Sequence, residues 1–345
     1  MIQQSDHPAA APPPPSFPVA WPSYGDSLLH WSRDAASGPF QMTRLDAALV
    51  TAWTDAGHGH AQRVYGLPVR VRQMVFNSWL YVAAEPASQD EVELARLRDG
   101  IDGVLDAALE SNAAHWSSRW LPGLDRIAAE LDAVGGGRDA AADLVRVERL
   151  GASYWEIRAE MAFPAERARR SLERRRASDR QLVDQLPSPV DRPIPLVSAP
   201  SAVALVAVGE SDRHHRWPSA DRRAVETVAL GGHQLMRIER LLTEAAVRAA
   251  ATVGAELHAA DAIDDAVDVF HLALDEVRHG LAAGGDLRLR AAAGRHEASR
   301  FRGAPPGVLG RPGRYHDPYG WAIGDVRFPA GASAAVPDAP FAGYG

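Results

Sequence analysis

Apolar positions recur at helical spacing over much of the chain. After Ser88 and Asp90, either of which suits an N-cap, Leu97, Ile101, Val104, Leu105 and Ala108 fall on one stripe. Leu144, Val147, Leu150, Tyr154, Ile157 and Met161 predict another helix. It is expected to stop before Pro164, because proline lacks the N–H that continues the ladder. Val225, Val228, Leu235, Ile238, Leu242 and Ala245 mark a third, long helix, with Gly231-Gly232 as its weak point and a place to kink. One stretch changes period. Val69, Val71 and Gln73 alternate with Arg70 and Arg72, and an apolar run follows through Val75, Phe76 and Trp79 to Val82. That predicts a hairpin turning at Asn77-Ser78. The expected fold is mainly α, a two-lobed helical bundle with a small β-hairpin element.

Composition divides the chain further. Residues 1–20 are a Pro/Ala-rich arm, expected to be disordered, and 21–186 form an N-terminal helical lobe that carries the β element. Residues 187–200, with five prolines, read as a stiff linker. Residues 201–302 form a C-terminal helical lobe, and 303–345 an irregular Gly/Pro-rich tail that packs through Tyr315, Tyr319, Trp321 and Phe328. The first residues lack the basic region and apolar run of a signal peptide, and no segment nears the roughly 18 apolar residues of a membrane span. A cytoplasmic protein is expected.

A net charge of −7 over 345 residues argues against nucleic acid as a partner. The absence of Cys removes disulfides, thiolate nucleophiles and Cys-ligated zinc. All 37 basic residues are Arg. Without Lys there is no P-loop lysine and no amine for a Schiff base.

The most specific-looking motif is D-D-x-x-D at Asp264, Asp265 and Asp268. Carboxylates at i and i+4 share a helical face and suit Mg²⁺. In an all-helical chain this spacing suggests a class I terpene-synthase-like cyclase, with Arg314 as an assisting cation. The same acids suit a helix start, where the macrodipole favours them. His58 and His60, in the sequence HGH, lack a nearby acidic partner triad, and His214 and His215 are flanked by Arg. Surface or capping roles are expected for both pairs. His233 is expected in ordinary helix, and the seven Arg from Arg167 to Arg180 on a solvated face. Nine Trp are unusual. Trp79, Tyr81, Trp116, Trp120 and Trp155 are either scattered core residues or the lining of a cavity for a bulky apolar ligand. Arg70 and Arg72 would there hold an anionic group, or else form the wet face of a strand.

Read with its right-hand context, the acidic motif resembles a known pattern. Asp268-Val269-Phe270-His271-Leu272, Asp275-Glu276-Val277, Gly285-Asp286-Leu287 and the Arg-rich Arg295–Arg302 resemble the helical region of phosphoenolpyruvate-synthase-like phosphotransferases, especially the rifampin phosphotransferase type. Trp21-Pro22, Trp31 and Asp34 are similar to that family's opening segment, and Asn77 and Tyr81 to the segment after it. The resemblance covers about 20–300 loosely. It departs at Ser37, where the family often has His, and at Arg44, where Pro commonly follows Thr43. The family's ATP-grasp domain and its swivelling phospho-His domain have no counterpart in the sequence.

The resemblance implies a free-standing acceptor-binding domain. It would present a bulky, largely apolar, hydroxylated metabolite to separate ATP-grasp and phospho-His proteins, with Arg70, Arg72, Asn77, Trp79, Tyr81, Trp116, Trp120 and Trp155 contributing to the pocket. No cofactor of its own is expected. The alternatives are a self-contained cyclase, using Mg²⁺ at the three aspartates or no metal, and a non-catalytic binding protein.

Overall fold

The structure, a computed structural model, describes residues 17–34, 41–135, 139–178, 219–300 and 305–310, with backbone alone at 165–178 and 219–233. The chain is mainly α with one small antiparallel sheet. In chain order the elements are α1 (Tyr24–Leu28), β1 (His30–Arg33), α2 (Arg44–Tyr65), β2 (Val69–Phe76), β3 (Trp79–Pro86) and α3 (Glu91–His115). A π-helical turn (Trp116–Trp120), α4 (Leu121–Asp132), α5 (Ala140–Ser178) and α6 (Ser219–Ala259) follow. A 3₁₀ helix (Ala266–His271), α7 (Leu274–Ala283), α8 (Arg288–Arg300) and β4 (Val308–Gly310) complete the described chain.

The hairpin turns where the period of the sequence breaks. Asn77 and Ser78 both take positive φ, 50° and 70°. This left-handed pair lets a two-residue loop match the twist of the strands. The sheet order is β2-β3-β1-β4, so the hairpin is half of the sheet. β4 lies in the stretch expected to be irregular, yet it pairs with β1 through Trp31 opposite Leu309. Phe17, in the stretch read as an arm, is buried against Tyr81, and the Asn77 amide donates to the Pro18 carbonyl at 2.9 Å.

Capping explains several helix starts. Asp90 accepts from the Val92 N–H, and Thr43 forms a reciprocal box with Asp46. α3 buries Ile101 and Leu105 as its stripe requires, whereas Val104 is exposed. α5 buries Leu144, Val147, Leu150 and Tyr154, but it does not stop at Pro164. The proline withholds a donor from the carbonyl four residues back, that of Glu160, and the Tyr65 hydroxyl donates to this carbonyl instead, at 2.7 Å. A side chain from α2 therefore satisfies the group that would otherwise end the helix.

One apolar core draws on helices from both parts of the chain. Leu45 and Leu49 of α2, Leu124 and Leu131 of α4, Val147 and Tyr154 of α5, and Ile238, Leu242 and Val253 of α6 belong to one apolar cluster. Helices from both sides of the Pro-rich stretch bury the same surface. The stretch 187–200 itself lies outside the described residues.

Two glycines allow the 3₁₀ helix to sit close to its neighbours. A Cβ on Gly254 of α6 would stand 2.1 Å from the Ala266 carbonyl oxygen, and one on Gly294 of α8 would stand 2.0 Å from that of His271. Both obstacles are backbone and cannot swing aside. Gly254→Ala is expected to lower stability by about 1–3 kcal/mol or more, the range of overpacked interiors, despite alanine's better helix propensity. Urea unfolding measures it. A neutral or stabilising result would refute this close approach.

Candidate functional site

The residues proposed from sequence fall in four separate places. Alternation on β2 and β3 puts Arg70, Arg72, Met74 and Phe76 on one sheet face with Glu85, Ala83, Tyr81 and Trp79. Trp31 and Leu309 of the neighbouring strands share this face and Phe17 packs with them, with Phe76 edge-on to Trp21 at 5.1 Å and to Trp31 at 5.2 Å. Tyr81 is fully buried, and its hydroxyl donates to the Pro306 carbonyl at 2.8 Å. The Arg33 guanidinium lies 4.5 Å over the Trp79 ring. Arg72 pairs with the buried Asp26 at 2.7 Å, while Arg70 is exposed. Asn77, Trp79 and Tyr81 thus fasten the first described residues and β4 to the sheet. Trp116 and Trp155 lie elsewhere, against the main core, with the Arg158 guanidinium 4.7 Å over the Trp155 ring.

The three aspartates do not share an α-helical face. Asp265 caps the 3₁₀ helix, accepting from the Val267 N–H at 3.1 Å. Asp268 closes the box on the Asp265 N–H at 3.2 Å, is fully buried, and pairs with Arg295. Asp264 pairs with Arg288 at 2.8 Å, and Arg288 also reaches Asp261. Every carboxylate of the motif is engaged by the chain's own donors. Among the described residues, no three His, Asp or Glu side chains form a metal-binding group. The Arg167–Arg180 run, His214, His215, His233, Arg314 and the aromatic residues beyond 310 fall outside the described side chains.

Trp120 leads to a polar centre that the sequence reading missed. Its indole N–H donates to Glu160 Oε2 at 2.9 Å, and Arg119 donates to Glu160 Oε1 at 2.7 Å. His60 Nε2 lies 2.5 Å from the same Oε1. The Glu160 side chain is only 4% exposed, that of His60 17% and that of Arg119 57%, so a buried carboxylate anchors a group with one open edge. The π turn helps assemble it. The Leu121 N–H bonds back five residues to Trp116, just before Pro122, which has no N–H to give. Arg119 and Trp120, adjacent in sequence, both reach Glu160 from that turn. Glu156 stands 4.0 Å from His60 Nδ1 and 3.8 Å from Arg63.

A carboxylate only accepts hydrogen bonds. In neutral His60, Nε2 therefore carries the proton and Nδ1 is the bare, basic nitrogen. A positioned imidazole backed by a buried carboxylate is suited to taking a proton from a hydroxyl. Neither HGH histidine is the surface or cap residue expected. The acidic partner of His60 arrives from 100 residues away. Its only trace in sequence is Glu156 and Glu160 at i,i+4 on one helix.

His58 is buried, and burial lowers its pKa to about 4. A histidine held neutral in the fold stabilises it fully only above the unfolded value near 6.5. Below that the unfolded chain binds the extra proton, and stability is lost as pH falls toward 4. Between pH 7 and 5 the loss due to His58 is expected to be about 2 kcal/mol. Urea unfolding at both pH values should show it, and His58→Gln should remove that share. An unchanged acid sensitivity in the variant would count against a buried, neutral His58.

No described helix is long and apolar enough to cross a membrane. No family model and no solved structure matches the chain. The chain is 25% identical over 168 residues to chondramide synthase cmdD of Chondromyces crocatus, an alignment that takes in 47% of this chain. It spans only 4% of the length of that synthase.

Proposed function

We propose that the chain is a small-molecule-binding helical module of specialised metabolism, acting in the cytoplasm on a bulky, largely apolar, hydroxylated acceptor. In this reading it corresponds to the acceptor-binding region of phosphoenolpyruvate-synthase-like phosphotransferases. The observation that carries it is the Glu160–His60 pair with Arg119 at its open edge. The partial likeness to a synthase supports a biosynthetic setting. His60 Nδ1 takes the proton of the acceptor hydroxyl, and Glu160 holds the ring and offsets the imidazolium charge. Arg119 meets the incoming phosphoryl oxygens. A separate phospho-His protein, recharged by an ATP-grasp partner, supplies the phosphoryl group. Its P–N bond breaks as the P–O bond to the acceptor forms.

The test has two steps. Mass spectrometry of small molecules that copurify with the native protein identifies the acceptor. That compound is then incubated with the chain and separate ATP-grasp and phospho-His proteins. Transfer that falls at least about a hundredfold in His60→Gln, the scale of a lost general base, supports the reading. No transfer with all components present sinks it. Conversion of a prenyl diphosphate by the chain with Mg²⁺, abolished by chelator, would favour the cyclase alternative instead.

A further inference from the structure

The sheet face turned toward the helices is not uniformly apolar. Gln73 stands opposite Val82, and Val82 opposite Ser32, so the three share one rung and one face. Val82 clusters with Ala61 and Tyr65 of α2 and with Ile101 and Leu105 of α3, which makes this the covered face.

Helix and strand rises put His58 of α2 level with this rung. α2 and β2 run back to back through Gly66–Pro68. The seven residues from Tyr65 back to His58 cover about 10 Å of helix. The strand from Val69 to Gln73 rises about 13 Å. His58 therefore lies nearly level with Gln73. Its spacing from Ala61 and Tyr65 keeps it on the sheet-facing stripe.

Among the described residues, the buried Ser32 Oγ, Gln73 Oε1 and both ring nitrogens of His58 have no hydrogen-bond partner. Gln73 is 4% exposed and His58 7%. Buried polar atoms are nearly always paired, so a cluster of unpaired ones needs an explanation. The Gln73 amide nitrogen already donates to Asp34 at 3.1 Å, which fixes its oxygen as an acceptor. A neutral imidazole adds one acceptor and one donor, and the serine hydroxyl adds a donor.

We propose that Ser32, His58 and Gln73 form a buried binding site for an uncharged carboxamide group of a small molecule. The N–H groups of the amide meet Gln73 Oε1 and the bare imidazole nitrogen, and its carbonyl accepts from the Ser32 hydroxyl. A carboxylate brings no donor and would lie beside the acid Asp34. A simple alcohol brings only one donor. The site is distinct from the His60–Glu160 pair and does not rest on the role proposed for it.

Acetamide is the probe, with acetate and ethanol as controls. The full chain is titrated with each while the ring ¹⁵N resonances of His58, identified by their loss in His58→Gln, are followed by NMR. A saturable shift with acetamide, absent with acetate and weaker with ethanol, is expected. Ser32→Ala should weaken acetamide binding about tenfold, the size of one lost hydrogen bond, with an unchanged melting curve. The proposal is overturned by a non-saturating response, by equal responses to all three probes, or by a crystal structure in which ordered waters satisfy all three side chains and acetamide displaces none of them.

Discussion

Glu160→Ala is expected to destabilise the fold by about 3 kcal/mol. One carboxylate serves His60, Arg119 and the buried Trp120 indole. Removing one member of a buried polar set usually costs about 3–5 kcal/mol, because its partners stay buried and unpaired. Here Arg119 is more than half exposed and can turn to water, which argues for the lower end. Trp120 is 1% exposed and cannot. Glu160→Gln keeps an oxygen for the indole and should lose roughly half as much. Urea unfolding of the two variants decides it. Equal losses would show that the carboxylate charge, rather than the indole hydrogen bond, is what matters. No loss in either would remove Glu160 as the organising residue.

Asp268→Ala carries the second large expectation, a loss of about 2–4 kcal/mol. Its side chain is fully buried, caps the 3₁₀ helix on the Asp265 N–H and pairs with Arg295. Asp268→Asn retains an acceptor for the cap and should lose less. The loss is expected to be the same with and without Mg²⁺. Thermal melts of both variants across a Mg²⁺ titration separate the readings. A melting temperature that climbs with Mg²⁺ in the native chain but not in the variants would restore the metal reading of the D-D-x-x-D motif.

The sequence alone was enough for the local choices. The helical stripe of Ile101 and Leu105, the Asp90 cap and the turn at Asn77-Ser78 follow from spacing and side-chain chemistry within a few residues. Partners from elsewhere in the chain decide three further features. Pro164 does not stop α5, because Tyr65 from another helix replaces the missing donor. Asp264, Asp265 and Asp268 form a capped turn with arginine partners from α8. Arg72, Trp79 and Tyr81 share a sheet face with Trp31 and Leu309, against which Phe17 packs. In each case the deciding partner is distant in sequence.

The polar sites were legible only in part. Trp120 was a candidate from composition, but its neighbours there, His60 and Glu160, carry no local signature. Imidazole and carboxylate become a pair only when α2 and α5 pack. Gln73 shows as an odd polar residue in an apolar alternation, and register alone places Ser32 beside it. The pattern of side chains along this chain determined which segments are helix and strand, where they cap and turn, and which faces are apolar, because those are short-range properties of the backbone and its adjacent side chains. Tertiary packing decided which buried polar groups find partners, since the hydrogen bond that stabilises each one reaches across the fold.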